Sequence, residues 1–394
     1  MPMAKLLHGG QTLLEGGEIR KCDVLFGGDG RILEILPEGK SLPPEIERID
    51  CAGKLVAPGL IDTHVHGARG RNFMEGTPGA VAAISDFMLE GGATSCLATT
   101  TSAKPEEEET TLRGLLEASR RLVPGQAEIL GTHLEGPFIN ASNRGAHVEG
   151  NIRAASASEL ERIHGAARES LKIVTLAPET EGAIEAIDFF VRRGVRVSIG
   201  HTAASFSQTQ EALRAGANRG THMFNGMPQI HHRQPGAVAA LLLDPSVYLE
   251  MTADGNHFAP AMMELALKAA GAARCVLITD GADVRGLGDG HFRRWEGTNV
   301  IVKDRQARTL QGGLAGSMIS LSDAVRYVAH SGIAPIGEAI RMASENPARS
   351  IGVFGRKGSI SPGKDADFVV FNPDITVHMT VVRGDIAYKG VSNP

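Results

Sequence analysis

LKIVTLAPETEGAIEAIDFFVRRGVRVSIGHT, residues 171–202, sets two apolar runs around an amphipathic one. LKIVTLAP and VRVSIGHT have the length and composition of strands. EGAIEAIDFFVRRG between them has helical apolar spacing and closes on a glycine, as helix C-termini do. Strand, helix, strand, with both strands apolar throughout, describes parallel pairing under an outer helix. The alternation continues in both directions. ATSCLATT (93–100), AEILGTHLEG (127–136), VYLEMTADG (247–255) and CVLITDGA (275–282) are further strand candidates. TPGAVAAISDFMLEGG (77–92), SASELERIHGAARES (156–170), SFSQTQEALRAG (205–216) and APAMMELALKAAG (259–271) are further helix candidates. The count approaches eight, and no Gly-rich dinucleotide fingerprint favours an open doubly wound sheet. The reading is an α/β chain with a (β/α)8 TIM-type barrel. The acidic run PEEEET (105–110) reads as a solvated helix start, where carboxylates suit the dipole.

Outside the barrel the pattern changes. Residues 1 to about 57 carry short apolar runs broken by glycine, such as CDVLFGGDGRILEILP, where GDGR predicts a tight turn between strands. The stretch KGSISPGKDADFVVFNPDITVHMTVVRGDIAYKG near the other end looks alike. The two ends read as one small β unit. The expected division is therefore residues 1–57, a barrel over 58–350, and 351–394.

The 394 residues suffice for a large core, and 42% hydrophobic with 22% charged content is that of an ordinary soluble globular protein. A net charge of −5 and 4% aromatic residues argue against nucleic-acid binding, and an anionic small substrate would need a local basic site. No signal peptide and no membrane span is expected, and four scattered cysteines suggest reduced thiols and a cytoplasmic location.

In a barrel the chemistry sits at the C-terminal strand ends. IDTHVHG (61–67) places His64 and His66 two apart, so both side chains fall on one side of a strand. Later apolar runs end at Glu135, His201, His222 and Asp280. A lone strand histidine is more often a hydrogen-bonded structural residue than a ligand, Glu135 alone suits a salt bridge, and Asp280 alone suits a helix N-cap. Their coincidence at the ends of one barrel favours a metal, because buried imidazoles and carboxylates are costly unless paired or coordinating. The donor set suits zinc, iron or manganese better than calcium or magnesium. His147, His231, His232 and His257 follow the candidate strands in loops that supply substrate contacts, whereas His8, His164, His291, His330 and His378 read as surface or structural.

PGLIDTHVHG, HLEGPFIN, GHTAA, THMFNGMPQIHHRQPG, DGNHF, LITDGAD and LAGSMISL occur in that order. Together they resemble the N-acetylglucosamine-6-phosphate deacetylase family of the amidohydrolase superfamily, over nearly the whole chain. The resemblance implies a (β/α)8 barrel with a small β-sandwich built from both termini. It implies removal of acetate from N-acetylglucosamine 6-phosphate by metal-activated water. It assigns Glu135, His201 and His222 to the main metal ion, His64 and His66 to a second one bridged by Glu135, and Asp280 as general acid/base. Substrate contacts map to Ala146, His147, Asn225, Gly226, Arg233, His257, Leu314, Ala315 and Gly316. Arg233 is the first candidate for the phosphate and His257 the second; His147 would serve the acetyl oxygen or a sugar hydroxyl. A homodimer is implied, with the arginine able to come from a neighbouring subunit. The expected cofactor is one or two divalent ions, zinc or iron.

Rival readings are an amidohydrolase acting on N-acetylgalactosamine 6-phosphate or another amide, and a non-catalytic scaffold on the same fold. Many cyclic-amide members bridge their metals with a carboxylated lysine; Glu135 at that strand end argues against them. The sequence departs from the family in GADVRGLGDGHF, where Asp283 and Arg285 either change sugar preference or form a surface ion pair.

Overall fold

The computed structural model describes residues 4–390. The extreme ends of the expected 1–57 and 351–394 segments, residues 1–3 and 391–394, lie outside the described residues. Eight parallel strands form one sheet: β1 Leu60–Val65, β2 Ala93–Thr100, β3 Glu128–Glu135, β4 Leu171–Leu176, β5 Arg196–Ile199, β6 Arg219–Gly220, β7 Tyr248–Thr252 and β8 Cys275–Ile278. Each pairs with its sequence neighbour. The ring closes where Val65 bridges Gly281 in parallel, with Asp280 N–H donating to His64 O (2.9 Å) and His66 N–H to Gly281 O (3.1 Å). The expected barrel is the observed one, and closure puts the end of β8 directly against the end of β1.

Local chemistry explains the outer helices. Pro78, Pro105 and Pro260 occupy first-turn positions, where a missing N–H costs nothing. Ser156 caps the helix Ala157–Ala167, while Ser205 and Ser320 form capping boxes with Gln208 and Asp323. The acidic run 105–110 does start a helix, but it is not wholly solvated. Glu108 is buried, accepting from Arg153 (2.7 Å) and Arg162 (2.6 Å).

The termini build a nine-stranded curled sheet, in which Leu55–Pro58 pairs antiparallel with Phe368–Phe371. It encloses its own core, including Leu7, Val24, Phe26, Val56, Phe368, Val370 and Met379. GDGR is the turn between the antiparallel strands Ile19–Phe26 and Ile32–Pro37. One feature was not anticipated: a three-stranded antiparallel sheet, Gly290–Arg293, Asn299–Lys303 and Gln306–Thr309, inserted after β8.

Barrel and terminal sheet are tied by a buried ion network. Glu128, at the start of β3, accepts from Arg356 (2.6 Å) and lies 2.9 Å from Lys357; Arg356 also meets Asp365 at 2.7 Å. Burial alone would raise the Glu128 pKa, but hydrogen bonding from Arg356 and the charge of Lys357 hold it down at about 2. A carboxyl depressed in the folded state stabilises fully above its ordinary value near 4.5, and that stabilisation is lost as pH falls toward about 2. Glu128→Gln is expected to destabilise the protein at neutral pH by about 3–5 kcal/mol, as for a broken buried pair. It should also flatten the acid limb of the stability curve. Urea unfolding from pH 7 to pH 3 checks both, and an unchanged limb would discard this assignment.

Candidate metal centre and active-site cavity

The strand ends converge on Glu135, the last residue of β3. Its Oε1 lies 3.2 Å from His201 Nε2, 3.1 Å from His222 Nε2 and 3.4 Å from His64 Nε2. Its Oε2 lies 3.4 Å from His66 Nε2 and 3.3 Å from His147 Nε2. Asp280 Oδ1 completes the cluster, 3.4 Å from His66 and 3.6 Å from His64. His201, His222 and Asp280 hold left-handed backbone, with φ of 47°, 25° and 48°. Non-glycine residues take that region at a cost, and such strain gathers at functional sites. Space is also reserved: a Cβ on Gly226 would sit 3.1 Å from His201 Nδ1.

Tautomers decide what this cluster demands. His201 Nδ1 faces the carbonyl of Asn143 (2.8 Å) and His222 Nδ1 that of Asn225 (3.1 Å). A carbonyl only accepts, so each Nδ1 carries hydrogen and a neutral ring presents its Nε2 lone pair. Those two Nε2 atoms stand 3.0 Å apart and both face a carboxylate oxygen. Acceptors aimed at acceptors require a proton or a cation between them. His64 repeats the arrangement: its Nδ1 meets Glu250 Oε2 at 2.9 Å, leaving Nε2 to face His66 Nε2 at 3.3 Å. His66 Nδ1 is buried without any partner. Nitrogen ligands about 2.0–2.1 Å from a tetrahedral ion stand roughly 3.3 Å apart. The spacing and the repeated opposition fit divalent cations. Glu135, His201 and His222 would hold one, with His64 and His66 beside it.

Glu250 was missed by the sequence reading, as were Arg219 and His133. Glu250 and Arg219 are wholly buried on β7 and β6, joined at 2.8 Å, and Glu250 fixes the His64 ring from behind. Burial opposes its ionisation, but the hydrogen bond from His64 Nδ1–H and the Arg219 charge bring its pKa down to about 2. His133, two residues before Glu135 and on the same face, turns instead to Thr63 O (3.1 Å) and Thr175 Oγ1 (2.8 Å). Carboxylates behind ligating histidines typically contribute 10–100-fold in metal affinity. Glu250→Gln is therefore expected to weaken a second equivalent of cation by about that factor and spare the first. Equilibrium dialysis against zinc reads both; unaltered binding would remove Glu250 from the centre.

The cluster opens into a cavity of about 230 Å³. Ala146, His147, Asn225, Gly226, His257, Leu314 and Gly316, all expected from the sequence, line it. His147 accepts the Ser102 N–H on Nδ1 (3.1 Å), so its proton sits on Nε2, toward Glu135 Oε2 (3.3 Å) in the cavity wall. Burial lowers its pKa to about 4, which keeps it a neutral donor at pH 7. His257 is oriented by Asp254, 2.7 Å from its Nδ1. Asp280 has the most exposed side chain of the cluster, at 16% against 9% or less for the others. Burial would raise its pKa, but the His66 hydrogen bond and the neighbouring His64 and His222 rings hold it well below the carboxylate range.

Arg233, which the resemblance allows to act from a neighbouring subunit, lies on an exposed loop outside this cavity. Two expectations need correction. Ala315 is buried beside the cavity and does not line it, its N–H bonded to Ala307 O. Asp283 and Arg285 form no surface pair. Arg285 is buried, donating to Gly67 O (2.7 Å) and Thr279 Oγ1 (3.1 Å), because the chain needs those carbonyl and hydroxyl acceptors satisfied where β8 meets β1. Asp283 instead accepts from Arg294 Nε (2.9 Å) and Trp295 N–H (2.8 Å). Arg294 and Glu296, from the inserted sheet, line the cavity and were not anticipated.

The amidohydrolase family model matches residues 55–387. The N-acetylgalactosamine-6-phosphate deacetylase of Escherichia coli O157:H7 is 38% identical, covering 98% of this chain and all of the relative. The N-acetylglucosamine-6-phosphate deacetylase of Bacillus subtilis is 34% identical, with 96% of each chain covered. The N-acetyl-D-glucosamine-6-phosphate deacetylase structure from Mycobacterium smegmatis superposes with a TM-score of 0.90 at 32% identity, over 98% of this chain and all of that one.

Proposed function

This chain belongs to the amidohydrolase family, and on that premise we propose that it hydrolyses the N-acetyl amide of N-acetylglucosamine 6-phosphate to glucosamine 6-phosphate and acetate. The observation that carries the reading is the set of opposed lone pairs on Glu135, His201 and His222 beside Asp280 at the cavity. A divalent ion there, zinc or iron, supplies Lewis acidity, which polarises a carbonyl and acidifies water.

The chain's own groups divide the remaining work. Asp280, ionised at neutral pH, accepts the proton of the attacking water and delivers it to the departing amine nitrogen. His147 donates its Nε2–H to the acetyl oxygen or a neighbouring hydroxyl, a preset donor where negative charge develops. Asn225, Gly226, Leu314 and Gly316 shape the sugar site, and His257, held by Asp254, serves the phosphate end. Among the described residues the only arginine lining the cavity is Arg294, already paired with Asp283 and Glu296. We therefore assign the phosphate to Arg233 of a second copy in a homodimer; light scattering showing a monomer at working concentration would remove that assignment. The division into segments 1–57, 58–350 and 351–394 belongs to the same proposal. So does a cytoplasmic setting, in keeping with four buried free cysteines and, among the described residues, no helix long and apolar enough to cross a membrane.

The 38% identity to the galactosamine-phosphate relative favours a second reading, the galacto epimer. Acetate release from N-acetylglucosamine 6-phosphate, its galacto epimer and unphosphorylated N-acetylglucosamine tests both. Preference for the first is expected, preference for the second installs the alternative, and activity on neither phosphate refutes the substrate class.

A further inference from the structure

The inserted antiparallel sheet delivers one turn to the active-site cavity, and that turn is pinned. Asp283, three residues past Asp280, holds Arg294 Nε and the Trp295 N–H. Within the turn Arg294 N–H donates to Thr298 O and Gly297 N–H to Arg294 O, both at 2.9 Å. Glu296 is thereby fixed in the cavity wall with its side chain only 7% exposed. Its Oε1 lies 2.9 Å from an Arg294 nitrogen, yet at an angle that makes no hydrogen bond. Both carboxyl oxygens are buried without a hydrogen-bond partner. A buried acceptor left unpaired is expensive, and in a cavity wall it calls for a partner from the cavity itself, a ligand, a water or an ion.

We infer that Glu296 is a specificity-determining residue whose carboxyl accepts a hydrogen bond from a ring hydroxyl of the amino-sugar substrate. This rests on the function proposed above. The substrate's other polar groups fit the position poorly. Its phosphate and its acetyl oxygen are acceptors that a carboxylate repels, and its amide nitrogen belongs beside Asp280. The hydroxyls are the donors that remain. Arg294 balances the Glu296 charge without satisfying its lone pairs, and Asp283 acts on specificity only by holding Arg294 and Trp295 in place.

The test compares kcat/KM of wild type, Glu296→Ala and Glu296→Gln on N-acetylglucosamine 6-phosphate and on its analogues lacking the hydroxyl at C1, C3 or C4. Wild type should reject one analogue by about 10- to 100-fold, the range for a hydrogen bond to a charged group. Glu296→Ala should lose activity on the parent by a similar factor and no longer discriminate against that analogue. The near-isosteric Glu296→Gln, which keeps one acceptor oxygen, should retain part of the discrimination and the wild-type melting temperature. An active wild type whose discrimination survives in both variants overturns the inference alone. A wild type inactive on every hexosamine phosphate overturns the function and this inference with it.

Discussion

Asp280→Asn is expected to lower kcat by about 10²- to 10⁴-fold, the usual contribution of a positioned acid/base, with metal content unchanged. The amide is nearly isosteric and keeps an oxygen toward His66 and His64, so the cluster should stay assembled. What it loses is the capacity to take and return a proton. KM should move only a few-fold, because Asp280 acts on the reacting atoms more than on the sugar. Steady-state kinetics beside metal analysis reads all three quantities. Near-wild-type turnover with metal bound would show that the proton travels elsewhere.

Glu135→Ala should have the larger effect. Glu135 is the one residue within 3.4 Å of His64, His66, His147, His201 and His222. Without it five imidazoles converge on one another, and only Asp280, on the His64 and His66 side, is left to balance a cation. Bound metal should fall to near zero, and turnover by on the order of 10⁴-fold or more, since water then keeps its ordinary high pKa. Circular dichroism should remain that of wild type. A variant that still binds a full equivalent of zinc would show that the imidazoles alone hold the ion.

Legibility in the sequence followed the geometry of the barrel. Residues 171–202 declared a strand–helix–strand unit because buried parallel strands are apolar throughout and the intervening helix is amphipathic. His64, His66, Glu135, His201 and Asp280 were legible because each polar residue interrupts an apolar run at its C-terminal end. Strand β6 was nearly invisible: only Arg219 and Gly220 make ladder bonds, and His222 lies two residues beyond. Glu250 and His133 were passed over although both carry a signal, a charged residue inside YLEMT and a histidine on the same strand face as Glu135. They lie one layer deeper, where Glu250 fixes the His64 ring by a hydrogen bond and His133 packs edge-on against it, centroids 4.7 Å apart. The inserted sheet escaped because GLGDGHF reads as loop. The partner of Asp283 is eleven positions away across a turn, whereas its neighbour Arg285 points back into the barrel. The proposed homodimer entered only through the family resemblance, because on spacing and composition alone exposed Arg233 looks like any surface cation.

The most direct measurement is acetate release from N-acetylglucosamine 6-phosphate by chelator-stripped protein, before and after titration with zinc or ferrous ion. The account predicts negligible release from the stripped protein and recovery that saturates at one to two equivalents of metal. Full activity in protein shown by elemental analysis to carry no metal would contradict it.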